Sequence, residues 1–225
     1  MNDVESIESE TQAVASRRVE WFLGIAVAFV LAVAAIPGVQ PTPHRDLAAA
    51  TVREVEGLLR LARDEAVRTG EDHIVFFEHA SGGGPVTDDQ GAPLMALLIC
   101  DRDGDGRPSE SEYIASVPAD TDGIVHWGSA LATRPAAGDI AEQLHGPLSF
   151  GRSDAQIRER GLVFRSDGAP HSASSSVGGA GESGAGTVYL RGPTRDYAVV
   201  LSPWGDVDLQ VWDTHSQSWQ LAPAS

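Results

Sequence analysis

The run Asp101-Arg102-Asp103-Gly104-Asp105-Gly106-Arg107-Pro108-Ser109-Glu110-Ser111-Glu112 is the arrangement in this chain whose spacing prescribes a chemistry. Acids at the first, third, fifth and twelfth places match the calcium loop D-x-D-x-D-G-x5-E, because hard Ca²⁺ collects about six to eight oxygen ligands. Asp101, Asp103, Asp105 and Glu112 would give side-chain oxygens, Arg107 a backbone carbonyl and Gly106 the sharp turn. Pro108 stands where such loops carry an aliphatic residue, and neither flank has the periodicity of an EF-hand helix. Two readings stand side by side. One is a calcium site that stabilises a loop without catalysing anything; the other is a hairpin connection rich in turn residues.

Other chemistry is poorly served. His44, His73, His79, His126, His145, His171 and His215 are scattered and form no H-E-x-x-H pair, which argues against zinc. No G-x-S-x-G elbow is present, and Gly82-Gly83-Gly84 lacks the Lys-Ser/Thr that a phosphate-cradling loop needs. Cys100 is the single cysteine, so no internal disulfide is available and stability must come from a packed core. A formal charge of −16 and a pI near 4.6 argue against a broad basic face for nucleic acid or anionic lipid. No catalytic constellation, cofactor motif or small-molecule substrate is identified, and the chain reads as a non-enzyme.

The elements that would position these residues begin with Trp21 to Ile36, sixteen unbroken apolar residues. From Val19 to Val39 a helix reaches roughly 30 Å, the thickness of a hydrocarbon core. Ala32-Val33-Ala34 resembles a signal-peptidase site and Ser16-Arg17-Arg18 a twin-arginine signal. The acidic arm Asp3, Glu5, Glu8 and Glu10 is unlike the basic n-region of an export signal and favours a retained anchor. Arg17 and Arg18 are the only basic residues among the first twenty, which places the N-terminus in the cytoplasm and the rest of the chain outside it. The organisation expected is an acidic leader over 1–15, a transmembrane helix over 16–39, an amphipathic helix over 42–70 and a β-rich head over 71–225.

In the amphipathic segment Leu47, Val52, Val55, Leu58, Leu59, Ala62 and Ala66 recur at three- and four-residue spacing. Arg53, Glu56, Arg60, Arg63 and Asp64 lie largely on the other side, and Gly70 ends the pattern. Pro43 at the first helical position follows Thr42 as N-cap. Strands are expected over 73–79, 94–100, 113–117, 123–127, 162–165, 187–191, 197–202, 206–212 and 218–221. Val207, Leu209 and Val211 should share one face, and Ser202-Pro203-Trp204-Gly205 should turn a hairpin. A short helix is expected over 154–160, and the low-complexity stretch 169–186 reads as a mobile loop. Trp127, Trp204, Trp212 and Trp219 should pack the sheets and hairpins, an exposed one serving a partner. The fold class is α+β, one helical region followed by antiparallel strands.

Several of these segments together resemble a known family. Glu20, the apolar run and Pro37 are similar to the N-terminus of type IV pilins and pseudopilins. Leu61-Ala62-Arg63-Asp64-Glu65-Ala66 resembles the helix end of the minor pseudopilin H family of type II secretion. Phe164-Arg165-Ser166-Asp167-Gly168 resembles its strand and turn. Gly186-Thr187-Val188-Tyr189-Leu190 and Tyr197 to Gly205 resemble its closing hairpin. The resemblance implies a helix held in the inner membrane, a periplasmic head, and assembly with other pilin or pseudopilin subunits. It would place prepilin cleavage between Ala15 and Ser16, with Glu20 as the assembly glutamate. Ala15 stands where the family has glycine, so the cleavage motif is degenerate. The rival reading is a membrane-anchored extracytoplasmic calcium- or ligand-binding β-domain outside any pilus machine.

Overall fold

A computed structural model describes residues 43–78, 86–88, 90–120, 123–139, 146–150, 161–172 and 183–223, all within the unit Pro43–Ser225. The leader and anchor, with Ala15, Ser16, Glu20 and Pro37, lie outside the described residues, as does the helix expected over 154–160. Among the described residues no helix is long and apolar enough to cross a membrane.

Among the described residues the architecture is α+β: one long helix against two antiparallel five-stranded sheets. Helix α1 spans Pro43–Thr69. It ends where Gly70 turns to φ +78°, its N–H reaching the Ala66 carbonyl at 2.9 Å. That left-handed conformation is tolerated readily by glycine. Val52, Val55, Leu58, Leu59, Ala62 and Ala66 are buried as the spacing predicts. Leu47 is not: it is 51% exposed, and Ala48 takes the inward place. Ala48 packs against Gly192, where an added Cβ would lie 3.0 Å from that of Ala48.

The first sheet runs in the order β3-β2-β1-β5-β6, from β1 (His73–Phe77), β2 (Leu94–Cys100), β3 (Tyr113–Pro118), β5 (Leu162–Phe164) and β6 (Pro170–Ser172). The second runs β10-β9-β8-β7-β4, from β4 (His126–Trp127), β7 (Gly186–Arg191), β8 (Asp196–Leu201), β9 (Val207–Asp213) and β10 (Ser218–Leu221). All nine segments expected as strands contain one. The tenth, β6, falls inside the stretch read as a mobile loop. That reading is corrected at both ends: β6 pairs with β5, Ser183 bridges His171, and Gly184 and Ala185 are buried. Gly184 lies so close to the β5–β6 ladder that a Cβ would sit 2.7 Å from Leu162 and 2.8 Å from the His171 nitrogen. Glycine there serves close packing rather than mobility.

Both sheets turn one face to α1. Val75, Phe77, Ala96, Leu98, Leu162 and Phe164 from the first meet Val188, Leu190, Val199, Leu201 and Val207 from the second around the helix stripe. A bulge at Met95, between the pairs Leu94–Pro118 and Ala96–Val117, adds Met95 to this face beside Ala96. Phe150 stacks on Phe77 at 5.8 Å and closes the space between the sheets. Val207, Leu209 and Val211 all face this core.

The outer face of the second sheet carries Tyr189, Ala198, Val200, Trp212 and Trp219. It is covered by an irregular strap, residues 129–139, that contributes only Ala132 and Ala136 to the apolar packing. The strap is held by polar clasps. Asp196, 1% exposed, accepts on one carboxylate oxygen from Ser129 Oγ (2.6 Å) and the N–H groups of Ala130 (2.9 Å), Leu131 (2.6 Å) and Ala132 (2.8 Å). The Gln210 side-chain amide receives the Ala137 N–H at 3.1 Å and donates to its carbonyl at 2.7 Å. Tyr189 OH accepts from Ala136 N and donates to Asp139. Successive backbone N–H groups converging on one point form an anion nest, here filled by the chain's own carboxylate. Replacing Asp196 with alanine leaves three N–H groups without that acceptor, and we expect a loss of about 2–4 kcal/mol in urea unfolding followed by tryptophan fluorescence. Asp208→Ala, at an exposed site on the neighbouring strand, should change stability by less than about 0.5 kcal/mol.

Candidate metal loop and its buried neighbour

The loop from Asp101 to Glu112 joins β2 to β3 across one end of the first sheet, so a well-packed strand on either side sets its span. Its polar side chains are turned onto its own backbone. Asp101 Oδ1 accepts from Gly106 N at 3.2 Å, Asp103 Oδ1 from Asp105 N at 3.1 Å, and Asp105 Oδ1 from Arg107 N at 2.7 Å. Gly104 and Gly106 take φ +74° and +66°, the left-handed turns that let the three aspartates follow one another around a curve. The result brings one oxygen of each of Asp101, Asp103 and Asp105 within 4.8 Å of the other two. Three carboxylates so close repel unless a cation or hydrogen bonds offset the charge.

Glu112 behaves differently. Its Oε1 accepts from Arg102 N at 2.9 Å and Asp103 N at 3.4 Å, and its Oε2 receives Ser109 Oγ at 2.7 Å. The residue is 4% exposed because the loop folds over it, on a short 3₁₀ turn at Glu110–Glu112. The Ser109 hydroxyl first, then the two backbone N–H groups, hold its carboxyl below the usual range. A group whose folded pKa is depressed contributes stability above its unfolded pKa and loses it as pH falls. This clasp therefore operates near neutral pH and is released by acid. The structure brings together three of the residues expected to share an ion; Glu112 instead clamps the loop's entrance, and the Arg107 side chain is exposed.

At the β2 end of the loop sits Cys100, 2% exposed, donating its thiol hydrogen to Glu71 Oε2 at 2.8 Å. Arg102 stands 3.7 Å from the same carboxylate. Burial first, then the Glu71 carboxylate, push the Cys100 thiol up to about 11. Low thiolate content is the opposite of what a nucleophile requires. His73, the register partner of Cys100 across β1 and β2, is 1% exposed and holds the Glu71 carbonyl at 2.9 Å through Nδ1. Neither residue joins the acidic cluster.

The tryptophans divide. Trp212 and Trp219 are buried and pack at 5.3 Å, and Trp127 meets Phe77 edge-on at 6.2 Å, as the sequence implies. Trp204, at the tip of the β8–β9 turn, is 77% exposed. That turn is made as expected, with Gly205 N–H reaching the Ser202 carbonyl at 3.0 Å. Gly205 packs against the turn that follows β5, where a Cβ would lie 2.1 Å from the Gly168 carbonyl. Both glycines lie against Arg63 of α1, whose guanidinium pairs with Asp206 at 3.3 Å.

No known family model, curated protein or solved structure matches the chain.

The Cys100 surroundings make a pH prediction. A thiol whose folded pKa is raised is stabilised below its unfolded value, near 9, and that stability is lost as pH rises toward 11. The rate of iodoacetamide alkylation of the folded chain should have its midpoint near 11, against about 9 in urea, and Glu71→Gln should move the folded midpoint downward. A folded midpoint at or below 9 contradicts the assigned environment.

Proposed function

We propose that this chain is a pilin-like or minor pseudopilin-like subunit of a type II secretion or type IV pilus assembly, and not an enzyme. Its apolar segment over 16–39 holds it in the inner membrane as a single pass, N-terminus in the cytoplasm, and its β-rich head lies in the periplasm. Its partners are other pilin or pseudopilin subunits; no nucleic acid is among them, since Asp206, Asp208 and Asp213 follow Arg195 and no lysine or arginine does. The observation that carries this reading is spatial. Three stretches that resemble the pseudopilin H family are far apart in sequence: the helix end around Arg63, the turn at Gly168 and the hairpin turn at Gly205. They meet at one point of the fold, through the Arg63–Asp206 ion pair and the Gly168–Gly205 contact. Segments that resemble a family separately and also pack on one another are better explained by a shared architecture than by chance composition.

The reading makes a processing prediction. Membranes from cells co-expressing a prepilin peptidase should yield a chain that begins at Ser16 by N-terminal sequencing. Glu20→Ala should abolish cysteine cross-linking of the chain to neighbouring pilin subunits while leaving it in the membrane fraction. A soluble product beginning near Ile36 would end the proposal, because lateral assembly through the apolar helix would then be impossible.

A second reading, compatible with the first, rests on the three converging aspartates. We infer that the loop 101–112 takes up calcium through Asp101, Asp103 and Asp105, with the Arg107 carbonyl and Glu112 available to complete the oxygen set. Glu112 must give up its bonds to Arg102 and Asp103 to do so, which weakens binding. Isothermal titration should give a dissociation constant of about 10⁻⁴–10⁻³ M, the range of extracellular calcium modules. The Asp103→Ala/Asp105→Ala double variant should show no calcium heat. Equal heats from the two proteins would leave the loop a hairpin connection.

A further inference from the structure

Four Asp-Gly steps occur in the chain: Asp103-Gly104, Asp105-Gly106, Asp122-Gly123 and Asp167-Gly168. An Asp-Gly step can rearrange without an enzyme. The backbone nitrogen that follows the aspartate attacks its side-chain carboxyl carbon, and glycine sets no side chain in the way. The nitrogen must give up its hydrogen to do so, and an N–H committed to an acceptor has first to break that bond. Such a bond slows the attack roughly two- to ten-fold.

The aspartate side chains do not distinguish these steps. Asp103 Oδ1 accepts from Asp105 N at 3.1 Å, Asp105 Oδ1 from Arg107 N at 2.7 Å, and Asp167 Oδ1 from Ala169 N at 2.9 Å. All three carboxyls are therefore folded forward over the peptide that follows them. Asp122 lies outside the described residues.

The glycine nitrogens do distinguish them. Gly106 donates its N–H to Asp101 Oδ1 at 3.2 Å, Gly123 to the Asp120 carbonyl at 3.3 Å, and Gly168 to the Arg165 carbonyl at 2.8 Å. The Gly104 N–H has no acceptor among the described residues. Space favours the same step. A Cβ on Gly168 would lie 3.0 Å from Val67 and 3.4 Å from Arg63, whereas one on Gly104 would meet nothing within 4 Å. Asp103 and Gly104 are both exposed, and Gly106 is half-buried.

We propose that Asp103-Gly104 is a self-modification site, at which the fold selects Asp103 among the four aspartates for conversion to isoaspartate. The Gly104 nitrogen bonds to the Asp103 Cγ, and its hydrogen leaves with the carboxyl OH as one water, closing a succinimide ring. One water then adds at the former main-chain carbonyl and breaks that carbon's bond to nitrogen. The chain now runs through Cβ and Cγ of residue 103, with a carboxyl left directly on its Cα. Water leaves and returns, so no oxidant or co-reactant is needed. The conversion lengthens the main chain by one carbon and shortens the acidic side chain by one. The Asp103–Asp105 hydrogen bond and the close approach of the three acids are lost, while the apolar core, to which the loop contributes nothing, is untouched. The inference is independent of the filament reading and of calcium.

The test ages the full chain in detergent micelles at neutral pH, in ordinary and in heavy-oxygen water. Isoaspartate is located by electron-transfer fragmentation of its peptides, and each passage through the ring is counted by the heavy oxygen it leaves. Isoaspartate should accumulate at Asp103 at least about three-fold faster than at each of the other three steps. In urea, where every Asp-Gly N–H meets water alike, the four rates should fall within about two-fold of one another. Asp101→Ala takes the acceptor from the Gly106 N–H and should raise conversion at Asp105 at least about two-fold, with circular dichroism confirming that the sheets remain. Four sites equally slow in the folded chain, faster conversion at Asp105, Asp122 or Asp167, or a preference for Asp103 that persists undiminished in urea would each overturn the proposal.

Discussion

The structure depends on one helix serving two sheets. Val52, Val55, Leu58, Leu59, Ala62 and Ala66 are buried against the inner faces of both, so neither sheet closes its core without α1. Fully burying one leucine or valine contributes about 1.5–3 kcal/mol, and the chain has no disulfide to substitute for that packing. The small residues Ala62 and Ala66 let the last turns of the helix approach closely. Here Arg60 reaches the Val207 carbonyl at 2.7 Å and Arg63 reaches Asp206. The second sheet is thereby tied to the same two turns of helix that pack on the first.

The outer faces use a different solution. Where α1 covers apolar surface with apolar side chains, the strap covers the outer side of the second sheet mostly with backbone, and every polar group it brings must find a partner. Asp196, Tyr189, Gln210 and Trp219, whose Nε1 donates to the Arg134 carbonyl at 2.9 Å, provide these. This explains why Gln210 and Asp196 are buried in their strands: both clamp the strap. Arg134, at the middle of the strap, lies over the Trp212 ring at 5.9 Å.

The acidic loop lies at the periphery of this frame. It joins β2 to β3, and its three aspartates contribute nothing to the apolar core. Glu112, the twelfth position of the motif, clamps the loop in shape through Ser109, Arg102 and Asp103. The calcium uptake proposed for this loop would therefore compete with loop order at a single carboxylate. The exposed Trp204 belongs to the same peripheral class, a surface that the core positions without needing.

Much of the fold was legible in the residues alone. Three-and-four spacing specified the face of α1, alternation specified β9, and the apolar run Leu94 to Cys100 specified a strand, which the structure buries on both sides. Gly70 and Gly205 marked the helix end and the hairpin turn, because positive φ excludes most other residues there. These signals are local, set by periodicity and backbone sterics within a few residues. The spacing of acids in the loop was equally plain, since an oxygen-rich curve is encoded over twelve consecutive positions. What the sequence could not disclose depended on distant partners. Ala48 takes the inward place expected of Leu47, β6 exists because β5 offers it an edge, and the strap over 129–139 is held by Asp196, an acceptor distant in sequence. Glu112 is the sharpest case: its place in the motif predicts a ligand, yet only the folded loop decides that its carboxylate is nearer two backbone N–H groups than the other three acids.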